Sequence, residues 1–318
     1  MIFHRLVGEV MSRNQKENTD QIVQKDWMKG KEPYLLLFPS FLLILLFFGY
    51  PIIDGLRLAF YHYVLTEPGN IFFSGLENFK ELLKDGNFLL VLKNSVIWVV
   101  ASVGLQLVLG FALALALSKN FRGKNLYQAI VFLPWAVSGF LIGMIFKWMF
   151  NEHNGLINYV LKSLGIIDHS IPFLALPNVS IFTAVVAMIW YGVPFFAIMV
   201  LAALQSIPQE VHEAAALDGA GGFKKLTKIT IPYIKKTLII TTLLRVIWVF
   251  NSADIIYIMT NGGPANTSHN LPSYIFSTVF YTMDFGQASA AGVIMIVLLV
   301  IYSVIFLKVT KFDKAGDF

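Results

Sequence analysis

Arg245, Trp248 and Ser252 stand at i, i+3 and i+7, so on a helix the three side chains share one face. A guanidinium, an indole and a hydroxyl on one face suit a polyhydroxylated ligand: the ring stacks on its apolar face and the polar groups meet its hydroxyls. Arg245 offers a second chemistry, because a guanidinium holds a carboxylate or phosphate through two parallel N–H bonds. The alternative is that Arg245 pairs with a neighbouring subunit or snorkels to the surface. Asp254 follows nine residues later, which on a helix is about 13 Å of rise and too far for a direct pair. Asn251 and Tyr257 complete the polar set of this stretch. Upstream, Trp190, Gly192 and Phe195 belong to a run in which Gly192 and Pro194 predict a break that opens backbone groups to a cavity. Aromatic packing between helices is the alternative there. Asn94, Gln106, Ser138 and Lys147 are further polar candidates.

None of these residues forms a catalytic constellation. The chain has no G-x-x-x-x-G-K-[ST] loop, so it does not bind ATP through a P-loop, and it has no H-E-x-x-H. It has no cysteine, which excludes disulfides and zinc–thiolate sites. Its six histidines form no H-x-H or H-x-x-x-H pair, so no metal site is expected. The net charge of +5 is scattered among short loops, a poor match to a nucleic-acid stripe.

The elements that must position these residues are membrane helices. The chain is 57% hydrophobic and 14% charged, with a mean hydropathy of +0.68, whereas soluble domains are about 45–50% apolar and about 25% charged. A span needs about 20 mainly apolar residues, and six segments qualify: Tyr34–Ile53, Ser95–Leu117, Leu126–Phe146, Ile181–Leu204, Leu238–Ile258 and Ala288–Leu307. Lys and Arg cluster before the first span (Lys25, Lys29, Lys31), between the second and third, between the fourth and fifth, and after the sixth (Lys308, Lys311, Lys314). These four regions fall on one side of a six-span topology, which places both termini in the cytoplasm. Residues 1–33 read as a polar cytoplasmic tail without a cleavable leader, with Met11 a second candidate start, and residues 311–318 as a C-terminal tail. On the other side, Leu76–Leu92 carries an amphipathic pattern, and Leu156, Tyr159, Val160 and Leu164 predict a short helix stopped by Gly165.

The cytoplasmic segment 206–232 has its own helix. Pro208 suits a first turn. Glu210 and Glu213 suit the positive helix end. Ala214-Ala215-Ala216 is slim and helix-favouring. Gly219 and Gly221-Gly222 stop the helix. An alanine-lined exposed face bordered by Gln209, Glu210, Glu213 and Asp218 reads as a docking surface, with an ordinary membrane-surface linker helix as the alternative.

Pro208, Glu213-Ala214-Ala215, Asp218-Gly219-Ala220, Ile229 and Pro232 resemble the EAA loop of permease subunits in bacterial ABC importers. Phe250-Asn251-Ser252, Asp254, Tyr257 and Thr260-Asn261-Gly262-Gly263-Pro264 are similar to the end of the fifth span and the following loop of carbohydrate-importer permeases of the maltose type. The resemblance covers nearly all of residues 30–310. It implies an all-α polytopic protein with six transmembrane helices in the type I ABC importer permease fold, residues 34–310 forming the permease domain. It implies a bacterial inner-membrane protein that moves a sugar or oligosaccharide by alternating access, a neutral one from the family alone; an acidic sugar is the cargo that the Arg245 guanidinium would suit. It implies a second homologous permease, two ATP-binding subunits that carry ATP and Mg, and an extracytoplasmic substrate-binding protein. In that family the loop carrying Glu210, Glu213, Ala214, Ala215, Asp218 and Gly219 seats in a cleft of the ATPase subunit. The family's sugar site makes Trp248 and Ser252 stronger candidates than Arg245, and also points to the neighbourhood of Gly192. Gly221-Gly222 and Leu226 depart from the usual residues, and the large extracytoplasmic insertion of the maltose permease is absent. The readings from other classes are an intramembrane enzyme, which would need paired polar residues at one depth, and a passive or secondary transporter, which commonly shows inverted repeats.

Overall fold

A computed structural model of the chain describes residues 32–119 and 121–312. Most of the N-terminal tail, with Met11, Lys25, Lys29 and Lys31, and the end of the C-terminal tail with Lys314 lie outside the described residues. The chain divides into two compact units at Arg57–Leu58. The first contributes one apolar helix, α1 (Pro33–Leu58), with a π-turn over Leu45–Gly49. At 26 residues it is long enough to cross a bilayer.

The second unit is a bundle whose long members are α3 (Gly86–Ser118), α7 (Val179–Gln205) and α13 (Phe285–Val309). Before α3 come a two-residue hairpin pair (β1 Tyr61–His62, β2 Phe72–Phe73) and the short helix α2 (Glu77–Lys84). The tightest pairing is α3 on α7. It depends on Gly110, because a Cβ there would come within 2.5 Å of Phe196 Cβ and 2.9 Å of the Val193 carbonyl. Small residues let membrane helices approach closely in this way. The central core gathers Trp98, Val103, Ile142, Met188, Phe196, Val249 and Ile256. At one end of the bundle Leu117, Val200, Leu201, Ile207 and Ile234 pack together, and at the other Leu82, Phe88, Leu271, Ala290 and Ala291.

The expected third span is not one helix. α4 (Lys124–Phe132) runs into a 3₁₀ turn (Leu133–Ala136), and α5 (Gly139–Met149) leaves at 96°. Pro134 has no N–H to continue the ladder. Val137 is extended, and the Ser138 hydroxyl accepts from Leu141 N at 3.4 Å, capping a new helix. Among the described residues the six-segment plan is therefore five apolar segments, each long enough to cross a bilayer, and one bent pair. The fifth segment carries its own interruption: α10 (Lys235–Phe250) stops, residues 251–253 are irregular, and α11 (Asp254–Met259) resumes. In contrast, no break occurs at Gly192–Pro194, where α7 continues through the proline. Its neighbours in the bundle hold that turn in place.

The short helices match their sequence patterns in part. The amphipathic stretch at 76–92 ends sooner than expected, because Asp85 accepts from Asn87 N at 3.0 Å and caps α3. The buried Leu82 makes α2 a lid on the bundle. α6 (Leu156–Ser163) is present, and Gly165 after it has φ +67°. Its inward-facing residue is polar, though. Asn158 is buried and donates to the carbonyls of Asn151, Glu152 and Ile171, while Leu156, Tyr159, Val160 and Leu164 are exposed. Polar satisfaction fixes that helix together with Ile157, which packs on the central core.

Candidate functional site

Where α10 breaks, the bundle opens into a cavity of about 680 Å³ lined by Trp135, Met188, Tyr191, Arg245, Trp248, Asn251, Ser252, Ala253 and Asp254. Trp248 is 50% exposed and leans on Phe195, ring centroids 5.3 Å apart. Ser252 Oγ donates to Asp254 Oδ1 at 2.7 Å, so the hydroxyl and the carboxylate act as one polar corner. Asn251 Nδ2 turns back to its own helix and donates to the Ile247 carbonyl at 2.8 Å.

Arg245 lines the cavity but is held almost wholly beneath its surface. It is 3% exposed, and its Nε donates to Gln106 Oε1 at 2.7 Å. Gln106 in turn donates through Nε2 to the Met188 carbonyl at 2.7 Å. The guanidinium carbon lies 5.5 Å from the Phe195 ring centroid and 5.8 Å from that of Tyr191, within cation–π range. No carboxylate comes within ion-pair distance of it among the described residues. Gly192 makes this arrangement fit: a Cβ there would run into the Gln106 amide and the Arg245 guanidinium. Gly192 and Phe195 therefore support the cavity from behind and do not open backbone to it.

Trp190 and Tyr257 are not brought to the cavity. Trp190 faces another side of α7. It packs on Phe146 and lines an apolar groove with Leu109, Ile130, Leu133 and Pro134. Tyr257 stacks edge-on with Phe276 and meets Tyr281, hydroxyl to hydroxyl at 3.3 Å. Of the other polar candidates, Asn94 donates to the Thr267 carbonyl at 3.0 Å, Ser138 is a helix cap, and Lys147 is exposed in the last turn of α5. Trp135 and Met188 were not singled out from sequence. They belong to other segments, and only the 96° bend and the α7 packing bring them to this wall.

At the end of the bundle that gathers Leu117 and Ile207, α8 (Gln209–Leu217) follows Pro208, which occupies the N-cap position and not the first turn. Gly219 has φ +68°. Its N–H bonds to the Ala216 carbonyl and that of Ala220 to the Ala215 carbonyl, the paired geometry of a Schellman stop. Gly221 stands at the N-cap of the next helix, α9 (Gly222–Lys225), and Gly222 is its first residue, so neither ends α8. Glu210, Glu213, Ala214 and Asp218 are exposed, and Glu213 accepts from Gln209 Nε2 at 2.8 Å. Ala215 is 3% exposed and turned inward, so it is not part of the outward face. Two large apolar side chains are bare in this segment, Leu217 at the end of α8 at 90% and Phe223 on α9 at 80% exposed. The alanine pattern gave no sign of them.

Residues 106–311 match the family described as binding-protein-dependent transport system inner membrane component. The chain is 32% identical over 289 residues to the trehalose/maltose transport system permease protein MalF of Thermococcus litoralis, covering 91% of this chain and 96% of that one. It is 32% identical over 283 residues to the diacetylchitobiose uptake system permease protein DasB of Streptomyces coelicolor, covering 87% of this chain and 86% of that one. In fold it resembles a chain of a bacterial alginate ABC transporter solved with an alginate-bound periplasmic protein, with TM-score 0.78, 23% identity and coverage of 93% and 98%. The chain belongs to the binding-protein-dependent transport system inner membrane components, the permease subunits of ABC importers.

Proposed function

We propose that this permease passes a sugar or oligosaccharide through the cavity at the α10–α11 break. The observation that carries the reading is the joint presence of two indoles, Trp135 and Trp248, and the Ser252–Asp254 corner on one cavity wall. Stacking surfaces beside hydrogen-bonding groups are what a sugar ring requires. Relatives whose names include trehalose/maltose, diacetylchitobiose and sulfoquinovosyl glycerol permeases support the same class of cargo. A neutral sugar fits better than an acidic one. Arg245 is buried with its Nε held by Gln106, and Asp254 would oppose a second carboxylate at the same wall.

The rest of the machine follows from the family. A second permease completes the pore. Two ATP-binding subunits, holding ATP and Mg, take the α8 face, with Leu217 and Phe223 as apolar anchors. An extracytoplasmic binding protein delivers cargo, and both termini lie in the cytoplasm. Movement of the docked α8 rocks the bundle between access states. The test is uptake of a panel of neutral and uronic sugars by the reconstituted importer, wild type against Trp248→Ala. Uptake of neutral sugars that the variant loses supports the reading. Sugar uptake that Trp248→Ala leaves untouched overturns it.

A further inference from the structure

The break between α10 and α11 frees backbone carbonyls inside a membrane bundle, where each must find a donor. The Ile247 carbonyl keeps its helical bond from Asn251 N at 3.2 Å and also accepts from Asn251 Nδ2 at 2.8 Å, and the Val249 carbonyl accepts from Ser252 N at 3.2 Å as well as from Trp98 Nε1 at 2.9 Å. The carbonyl that the break leaves to a side chain is that of Ser252. It accepts from Asn270 Nδ2 at 2.7 Å, eighteen positions along the chain.

Asn270 is wholly buried and is itself fixed at both ends of its amide. Its Oδ1 accepts from Ser273 N at 3.1 Å, and its own N–H donates to Ser273 Oγ at 3.1 Å, a reciprocal cap at the start of α12 (Leu271–Ser277). Ser273 Oγ also meets His269 Nδ1 at 2.9 Å. The surrounding loop is tied to α3 twice: Leu271 N donates to Ser95 Oγ at 2.7 Å, and Asn94 Nδ2 donates to the Thr267 carbonyl at 3.0 Å. The amide of Asn270 therefore links a loop anchored on α3 to the backbone of the residue whose side chain forms the polar corner of the cavity.

We propose that Asn270 is a positioning residue for cargo: it sets the backbone of Ser252, and through it the Ser252–Asp254 corner, without touching the cargo itself. This rests on the reading that the cavity takes the cargo. The position needs a donor and an acceptor at once. Aspartate keeps the size and the bond from Ser273 N but sets an oxygen against the Ser252 carbonyl, so that carbonyl loses its side-chain donor while the α12 cap stays.

The test uses the complete importer with its binding protein and ATPase subunits in proteoliposomes. Asn270→Asp should raise the KM for sugar by about tenfold, the effect of one unmet buried carbonyl, with assembly and basal ATP hydrolysis unchanged. Trp98→Phe, which removes one of the two donors to the neighbouring Val249 carbonyl, should move KM in the same direction by a smaller factor. Combined with Ser252→Ala, the effect of Asn270→Asp should shrink, because both changes act on one corner. Fully multiplicative effects, or a loss of assembly with no change in KM, would overturn the proposal. If Trp248→Ala raises KM and neither Asn270→Asp nor Trp98→Phe does, the positioning role alone falls. If Trp248→Ala is silent as well, the cavity reading falls and takes the proposal with it.

Discussion

The carboxylate of Asp254 occupies the space that a side chain at residue 139 would need: a Cβ on Gly139 would overlap Asp254 Oδ2. Gly139 is the first residue of α5, whose positive end favours a carboxylate beside it. One turn on, a Cβ at Gly143 would lie 3.1 Å from Ile258 Cβ, so a G-x-x-x-G pair seats α5 on α11. The two interrupted segments of the bundle thus meet at one point, and the cavity's acidic group is held there. Gly139→Ala should displace Asp254 and weaken cargo affinity, at a stability cost of about 1–3 kcal/mol from overpacking. Gly143→Ala should bring a milder packing cost and leave affinity alone. Transport kinetics and thermal unfolding of both variants separate the two, and an unchanged KM in Gly139→Ala would show that the carboxylate's place is immaterial.

Trp248 offers the most exposed stacking surface of the cavity wall, and Ser252 offers one hydroxyl already shared with Asp254. Trp248→Ala should raise KM by about tenfold or more. Ser252→Ala should cost about 0.5–1.5 kcal/mol of binding. Arg245→Gln should behave differently: it leaves Gln106 Oε1 without its charged donor inside the bundle, so assembly and thermal stability drop while the preference between neutral and acidic sugars holds. A switch of that preference in Arg245→Gln would return Arg245 to the cargo path.

How much of this was legible follows the range of the signal. Span lengths and the Gly219 stop are local properties, and α7, α13 and the end of α8 fall where composition and spacing put them, whereas α3 starts at Gly86, well before the expected Ser95. The i, i+3 rule put Arg245 and Trp248 on one wall, while Ser252 reaches it from the irregular residues after α10, and the pattern could not tell that Gln106, well over a hundred residues earlier, already holds the arginine. Pro134 and Pro194 are alike in sequence. One ends a helix because Ser138 is ready to cap another, and the other is carried through by packing on α3. Such differences are set by tertiary neighbours, which a single chain's pattern does not encode. For the same reason Ala215 read as exposed while Leu217 and Phe223 escaped notice.

On the proposed coupling segment, the bare surface of Leu217 and Phe223 is the feature to test. Leu217→Ser or Phe223→Ser should lower sugar-stimulated ATP hydrolysis and transport together, without loss of the spans, as removal of an apolar anchor from an interface does. Gly219→Pro should do the same, because φ +68° is closed to proline. Co-purification with the ATPase subunits reads the docking directly, and wild-type coupling in all three would exclude α8 as the contact.

Orientation has an equally direct check. Reporter fusions at Lys124, Lys225 and the C-terminus should report cytoplasm, and fusions at Glu77, Asn154 and Asn266 the outside, following the Lys and Arg distribution. The informative pair flanks the 96° bend: if α4 and α5 together make one crossing, Lys124 and Asn154 report opposite sides, and if the bent pair re-enters, they report the same side.

His269 predicts a pH response of the loop that holds Asn270. Burial lowers its pKa from 6.5 to about 4, and Gly262, at φ +77°, leaves no room for a Cβ beside the ring. The imidazole is therefore neutral in the folded protein across a range in which the unfolded chain already takes up a proton. Stability from this group is complete above pH 6.5, declines as pH falls through that value, and levels off below about 4. Asp284 works in the opposite sense, since burial raises its carboxyl, so the contribution of His269 is read as a difference between proteins. His269→Asn, whose side-chain oxygen can stand where Nδ1 meets Ser273, should be less stable at neutral pH and lose less on acidification than the wild type. Thermal midpoints of the purified importer at several pH values between 4 and 7.5 measure both slopes. Parallel slopes would mean that this histidine titrates alike in the folded and unfolded chain, and that its burial beside Asn270 carries no pH dependence.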